Sequence, residues 1–235
     1  MSDPRALPAV VLVTGTGTGV GKTVATAALA ALVRARGSTV AVVKPAQTGV
    51  GPGEPGDVDE VRRLVGDDIE THELVRLLDP LSPEAAARRR GIDLPPVAAL
   101  ARRVRDLTAV ADVVLVEGAG GLLVRLDSRA GTLADLGTAL RYAGTSCGVV
   151  LVAAAGLGTL STAALTAEAL AARSVPLLGV VVGAWPVEPG LAETENVVDL
   201  PRVTGAPLWG RIPEGSGRMP REQFLAAAPG WFDIT

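Results

Sequence analysis

The sequence predicts an α/β chain with a mostly parallel central sheet of about seven strands and helices on both faces. Three observations carry this. Short β-branched runs alternate with Ala/Leu-rich stretches of helical length. The runs are apolar throughout, the pattern of strands covered on both faces. Apolar residues make up 48% of the 235, enough for a large core, while aromatics at 3% leave Ala, Val and Leu to fill it. This length fits one domain over residues 1–235.

The elements follow in order. Val10–Thr14 is the first strand, and Lys22 to Arg36 reads as a helix closed by Gly37. Thr39–Val43 is a second strand. The Gly/Pro-rich stretch Val50–Gly56 reads as a mobile loop, and Asp57 to Val65 as a helix. Ser82-Pro83-Glu84 has the form of a helix start, with Pro at the first position. Val113–Val116 is a strand, Thr132 to Ala143 a helix, Val149–Val152 a strand, and Ser161 to Ala172 a helix. Leu178–Val182 and Leu208–Ile212 complete the strands. In such sheets the ligand site lies outside the carboxyl ends of the strands, so the residues after each strand are the candidates for chemistry.

Composition excludes several classes. Lys+Arg total 22 against Asp+Glu 25, a net charge of −3, which leaves no basic excess for a nucleic-acid backbone. Mean hydropathy is +0.37, yet no apolar run reaches the ~18 residues of a membrane span. Met1 to Arg5 lacks a signal-peptide pattern, and the single Cys147 has no disulfide partner. The expectation is a cytoplasmic protein with no nucleic-acid or membrane partner.

Twenty of the basic residues are Arg, so 22 − 20 = 2 lysines remain, Lys22 and Lys44. A compact ammonium is chemically unlike a planar guanidinium, so retaining only these two points to a local reason. Lys22 lies in Gly15-Thr16-Gly17-Thr18-Gly19-Val20-Gly21-Lys22-Thr23, between a strand and a helix. That is the context of a P-loop: glycine backbone N–H groups cradle phosphate, Lys22 reaches the β- and γ-phosphates, and Thr23 ligates Mg²⁺. The first Gly of the strict pattern falls on Thr16, with Gly15 one residue earlier. Lys44 opens Lys44-Pro45-Ala46-Gln47-Thr48-Gly49 at the end of the second strand and aims at the same crevice. Glu117, in Glu117-Gly118-Ala119-Gly120-Gly121, stands where a Walker B acid holds Mg²⁺. A second acid comes from Asp57 or Asp59, which spacing alone leaves even. Gly156 to Thr162 reads equally as an anion-holding helix start and as a plain connection capped by Ser161. His72, Arg88 to Arg90, Cys147 and Trp185 read as surface or packing residues.

The P-loop, Lys44-Pro45, Val116-Glu117-Gly118-Ala119-Gly120-Gly121 and Gly158-Thr159-Leu160, in this order, resemble the dethiobiotin synthetase family of biotin biosynthesis. The resemblance runs from about Val10 to Glu214 and implies a P-loop NTPase fold and a ligase. Its substrates would be 7,8-diaminononanoate (diaminopelargonate), CO₂ or bicarbonate, and ATP or another nucleoside triphosphate, with Mg²⁺ as cofactor. One amine takes up CO₂ as a carbamate, ATP phosphorylates it, and the second amine closes the ureido ring. The resemblance implies nucleotide contacts from Gly17, Thr18, Gly19, Val20, Gly21, Lys22, Thr23, Glu117 and Gly120, with Pro213 and Glu214 lining the base and ribose pocket. It implies Thr23, Asp57 and Glu117 for the metal, and Lys44, Lys22 and Thr18 at the reacting groups. Lys44, Thr48, Gly118, Gly158, Thr159, Leu160 and Ser161 would hold the diamine substrate, across a homodimer interface.

Three positions depart from the family pattern: Gly17 or Gly19 where many members are acidic, Ser161 in place of an Asn, and Gly183-Ala184-Trp185-Pro186 where some carry an Asn that reads adenine. Two other classes fit less well. A cobyrinate-type amide synthetase needs a glutamine-hydrolysing Cys/His pair, and Cys147 and His72 lack motif context. A partition or septum-positioning ATPase carries a signature lysine where Gly17 stands.

Overall fold

The structure, a computed structural model, describes residues 7–234. Strands β1 (Val10–Gly15), β2 (Val40–Lys44), β4 (Glu70–Glu73), β6 (Val113–Gly121), β7 (Cys147–Ala153), β8 (Leu177–Trp185) and β9 (Leu208–Pro213) form a seven-stranded sheet in the order β4-β2-β6-β1-β7-β8-β9. Every pairing in it is parallel. Two short strands, β3 (Gln47–Thr48) and β5 (Arg76–Leu77), pair separately, also in parallel. The helices are α1 (Lys22–Ala35), α2 (Asp57–Val65), α3 (Pro83–Arg90), α4 (Val97–Leu107), α5 (Leu133–Tyr142), α6 (Thr159–Ala171), α7 (Leu191–Thr204) and α8 (Arg221–Ala227). The expected fold class therefore holds.

The pleat explains why the strands are apolar throughout. Val11 and Val13 point into a core with α1, α2 and Phe224 of α8. Val10 and Leu12 point into the opposite core, with Val104 of α4 and Leu136 of α5. A third apolar cluster joins β7 and β8 to Ala163 of α6 and Leu200 of α7.

The differences from expectation have local reasons. The strand without an apolar run is β4, Glu-Thr-His-Glu, an edge that pairs only with β2. Its His72 is half-buried and hydrogen-bonds Glu70. β6 runs on to Gly121 because a register shift after Val13 brings Gly121 opposite Gly15. Helix α6 starts at Thr159, so Gly158 with φ 88° is the cap, and Ser161 sits exposed in the first turn. The loop read as mobile is tied to Arg76 at Gly51 and Glu54. Cys147 is buried, and burial pushes its thiol up to about 12, an inert packing residue. Among the described residues, no helix is long and apolar enough to cross a membrane.

Candidate active site

The phosphate loop leaves β1 at Gly15 and enters α1 at Lys22. Two of its glycines, Gly19 (φ 75°) and Gly21 (φ 92°), hold left-handed backbone that a side chain would strain. Gly21 has a second constraint: a Cβ there would lie 2.5 Å from the carbonyl O of Gly183 in β8. In turn, a Cβ on Gly183 would overlap the carbonyl of Val20. Gly183→Ala is therefore expected to displace the loop and destabilise the fold by about 1–3 kcal/mol, the usual cost of overpacking. Chemical denaturation checks this, and wild-type stability would refute it.

Beside the loop, the carboxyl ends of β1, β2 and β6 open into a cavity of about 720 Å³, lined by the phosphate loop, Lys44, Thr48, Asp57 and Glu117. Lys22 is buried, and its Nζ donates to the carbonyl of Gly17 at 2.8 Å. Burial lowers its pKa, and Lys44 adds repulsion that Glu117 and Asp57 partly offset. Lys44 Nζ lies 2.5 Å from Asp57 Oδ2 and 2.9 Å from Glu117 Oε1, and donates to the Gly118 carbonyl at 3.1 Å. Burial works against this ammonium, but Glu117 and Asp57 together hold its pKa above the ordinary value. Burial likewise opposes ionisation of Asp57, and the Lys44 ammonium prevails, keeping that carboxyl below its usual value. Glu117 is only 2% exposed and also accepts from Thr23 Oγ1 at 2.9 Å. Its desolvation outweighs the pull of Lys44 and raises its pKa. Two ammonium groups, two carboxylates and the Thr23 hydroxyl that bonds Glu117 thus share one pocket.

Chain positions that spacing left even are separated by geometry. Asp57 faces the cavity, whereas Asp59 turns away, accepting from the Gly56 N–H at 2.8 Å and lying 3.8 Å from Arg62. Thr18, Gly19, Gly21, Thr23, Thr48 and Gly120 line the same cavity. Gly17 and Gly118 border it through their carbonyls, and Val20 packs against the core below. The remaining candidates lie outside this cavity. Pro213 and Glu214 are exposed at the end of β9, where the Glu214 N–H donates to the carbonyl of Trp185 at 2.7 Å. Arg211 stacks 5.1 Å over the Trp185 ring. Gly158 to Ser161 open α6, where the Thr159 hydroxyl is buried without a hydrogen-bond partner among the described residues. A second cavity of about 320 Å³ lies between α6 and the turn after β6.

Two contributors escaped the sequence reading. Gln47 is buried and accepts from the Asp57 N–H at 2.8 Å. Pro80 to Pro83 wall the cavity opposite the phosphate loop, and the paired prolines around Leu81-Ser82 were the available signal of a rigid turn.

The family profile described as AAA domain matches residues 9–220. A protein of Parafrankia sp. (strain EAN1pec) named ATP-dependent dethiobiotin synthetase BioD is 55% identical over 219 residues, 93% of this chain and 90% of that protein. One of the same name from Streptomyces avermitilis is 53% identical over 224 residues, 94% of this chain and 91% of its own. Among solved structures, the septum site-determining protein MinD of Pyrococcus horikoshii OT3, complexed with Mg-ADP, superposes with a TM-score of 0.61 at 16% identity, covering 95% of this chain and 91% of that one. The signal recognition particle 54 kDa protein of Aeropyrum pernix K1 gives a TM-score of 0.54 at 23% identity over 97% of this chain and 49% of that chain. At these identities the two structures attest the fold alone.

Proposed function

The chain belongs to the dethiobiotin synthetase family, and on that premise we propose that it closes the ureido ring of dethiobiotin from 7,8-diaminononanoate, CO₂ and ATP. It is an ATP-dependent ligase that forms carbon–nitrogen bonds in biotin biosynthesis. The observation that carries this reading is the convergence of Lys22, Lys44, Asp57, Glu117 and Thr23 in one cavity beside the phosphate loop.

The chemistry explains why such a cluster is needed. A carbamate is a poor acyl donor until its oxygen is phosphorylated. Its attack on the γ-phosphorus brings two anions together, and ammonium groups offset that repulsion. Lys22 serves the β- and γ-phosphates. Lys44 serves the carbamate and the γ-phosphate, helped by the hydroxyls of Thr48 and Thr18. ADP leaves, and the second amine attacks the carbonyl carbon of the mixed anhydride, expelling phosphate and closing the ring. Holding both amines on one bound substrate makes that closure intramolecular.

Thr23, Asp57 and Glu117 fit a magnesium ion: all are hard oxygen donors, and Mg²⁺ takes one or two carboxylates beside phosphate oxygens and water. No cluster of three His, Cys, Asp or Glu side chains of the all-protein type occurs among the described residues. When bound, the ion supplies charge neutralisation at the phosphates. Asp57→Asn is expected to raise the Mg²⁺ concentration for half-maximal activity more than Asp59→Asn does. Titration of activity with Mg²⁺ reads the ranking, and the reverse order would move the metal site to Asp59.

The homodimer, with the substrate carboxylate held near Gly158, Thr159, Leu160 and Ser161 across the interface, belongs to the same proposal. The exposed side chains of Leu157 and Leu165 beside that loop favour it. The base and ribose contacts assigned to Pro213 and Glu214, and a cytoplasmic location, also form part of the proposal.

The deciding experiment is mass spectrometry of the product after mixing the enzyme with the diamine, labelled bicarbonate, Mg²⁺ and each nucleotide in turn. Label in dethiobiotin, dependent on nucleotide, is the expected result. No labelled ring product with any nucleotide would overturn the reading.

A further inference from the structure

We propose that Arg76 is a positioning residue for Asp57: with Glu73 and Gln47 it fixes the loop that delivers this carboxylate, and so sets the affinity of the site for magnesium. The inference rests on the reading of Asp57 as a metal-holding carboxylate.

The need for such a device is visible in the loop itself. Gly51-Pro52-Gly53-Glu54-Pro55-Gly56 leads directly into Asp57, the first residue of α2. Three glycines in six positions give the free chain a large conformational range, so holding it in one shape requires partners from elsewhere. Arg76 provides them. Its Nη1 donates to the carbonyls of Gly51 at 2.9 Å and Glu54 at 2.6 Å. Its other edge makes a two-pronged pair with Glu73, Nε to Oε1 at 2.5 Å and Nη2 to Oε2 at 2.8 Å. The guanidinium is thus clamped on one side by an edge strand of the main sheet and grips the loop with the other. Its 28% exposure, against 15% for Glu73, leaves the pair partly shielded from solvent.

The connection reaches Asp57 through two contacts. Gly56 fits against the pair so closely that a Cβ there would lie 2.8 Å from Glu73 Oε2, 3.0 Å from Gln47 Oε1 and 3.1 Å from Arg76 Nη2. The next N–H, that of Asp57, donates to Gln47 Oε1 at 2.8 Å. Gln47 in turn is set beside Arg76 by the small β3–β5 ladder, where the two residues are register partners. Its N–H donates to the Val75 carbonyl at 2.8 Å. The little sheet therefore places the acceptor for the Asp57 backbone and the clamp for the preceding loop side by side. Asp57 is held through its backbone, which leaves its carboxylate to face Lys44 and the cavity.

Outer partners of metal-holding groups typically control 10- to 100-fold in metal affinity. Arg76→Ala is accordingly expected to raise the Mg²⁺ concentration for half-maximal activity roughly tenfold. Binding of Mn²⁺, read by electron paramagnetic resonance with a non-hydrolysable ATP analogue, should weaken to the same degree. Arg76→Lys keeps the charge but not the planar fork, so it should shift the midpoint in the same direction, and it serves if the Ala variant fails to fold. The decisive comparison is the same substitution in an Asp57→Asn background, where the shift should vanish. An unchanged midpoint in the folded variants overturns the proposal, as does an equal shift with Asp57→Asn already present. If Asp57→Asn alone leaves the midpoint unchanged, the reading of the metal site is what fails, and the inference falls with it.

Discussion

Lys44→Gln is expected to lower turnover by roughly 10²–10³, the range for losing one preorganised stabiliser of transition-state charge. The same substitution should also change stability, because Lys44 is the shared counter-charge of Asp57 and Glu117. Breaking a buried pair by removing one partner costs about 3–5 kcal/mol at neutral pH. The sign of the pH dependence follows from the carboxylates. In the wild type, Asp57 sits below its ordinary value, so its contribution is present above the unfolded pKa and fades as acid protonates it. Glu117 is already raised, and without the ammonium both acids move upward. A raised carboxylate contributes fully below its unfolded pKa and loses that contribution as pH climbs through the folded one. The stability gap between variant and wild type should therefore be wide at pH 8 and narrow towards pH 4. Urea denaturation at several pH values measures it. Near-normal turnover would remove Lys44 from the mechanism, and a gap independent of pH would contradict the charge pairing.

Glu117→Gln is expected to abolish most of the stabilisation that Mg-ATP confers and to reduce turnover by at least about 10². Glu117 is a common acceptor for Lys44 Nζ and Thr23 Oγ1, both at 2.9 Å. A neutral amide keeps the shape but withdraws the negative charge that orders the ammonium and attracts the cation. A ligand that binds only the folded state stabilises it by RT ln(1 + [L]/Kd), about 2.7 kcal/mol at a hundredfold excess over Kd. Melting curves with and without Mg-ATP should show that gain in the wild type and little of it in the variant. A full ligand-induced shift together with turnover within a few-fold of normal would exclude Glu117 from the metal site.

How much of this was legible in the chain depends on what each segment has to bury. β1, β2, β6, β7 and β8 are covered on both faces, so their apolar runs announce them, whereas β9, at the far edge, buries Trp209 and Ile212 and exposes Arg211. β4 is an edge strand reading Glu-Thr-His-Glu, and only its pairing with β2 makes it a strand. Helix α4 carries a regular apolar face, Val97, Leu100, Ala101 and Val104, which makes it legible by periodicity alone. Helix α7 hides behind Pro201, a residue that ordinarily argues against a helix interior. At the site, Lys44 and Glu117 stand out because each comes straight after a buried apolar run, and Lys22 because it closes the glycine-rich loop between β1 and α1. The choice of Asp57 over Asp59 was not available from spacing, since both lie in the first turn of α2. Only the fold turns one towards Lys44 and leaves the other to cap its own helix. Gln47 and Arg76 carried no signal at all, because their pairing exists only once β3 and β5 meet.

The meeting of Gly183 with Val20 and Gly21 has a consequence for tolerance to change. The phosphate loop rests on main chain from a strand far downstream in the sequence, and no side chain cushions the join. Any side chain at 183 would act as a wedge, transmitting its bulk straight to the nucleotide cradle. Mutational screens should therefore find a nucleotide-binding defect at a residue that touches no nucleotide, and should find it graded by volume, from alanine upward.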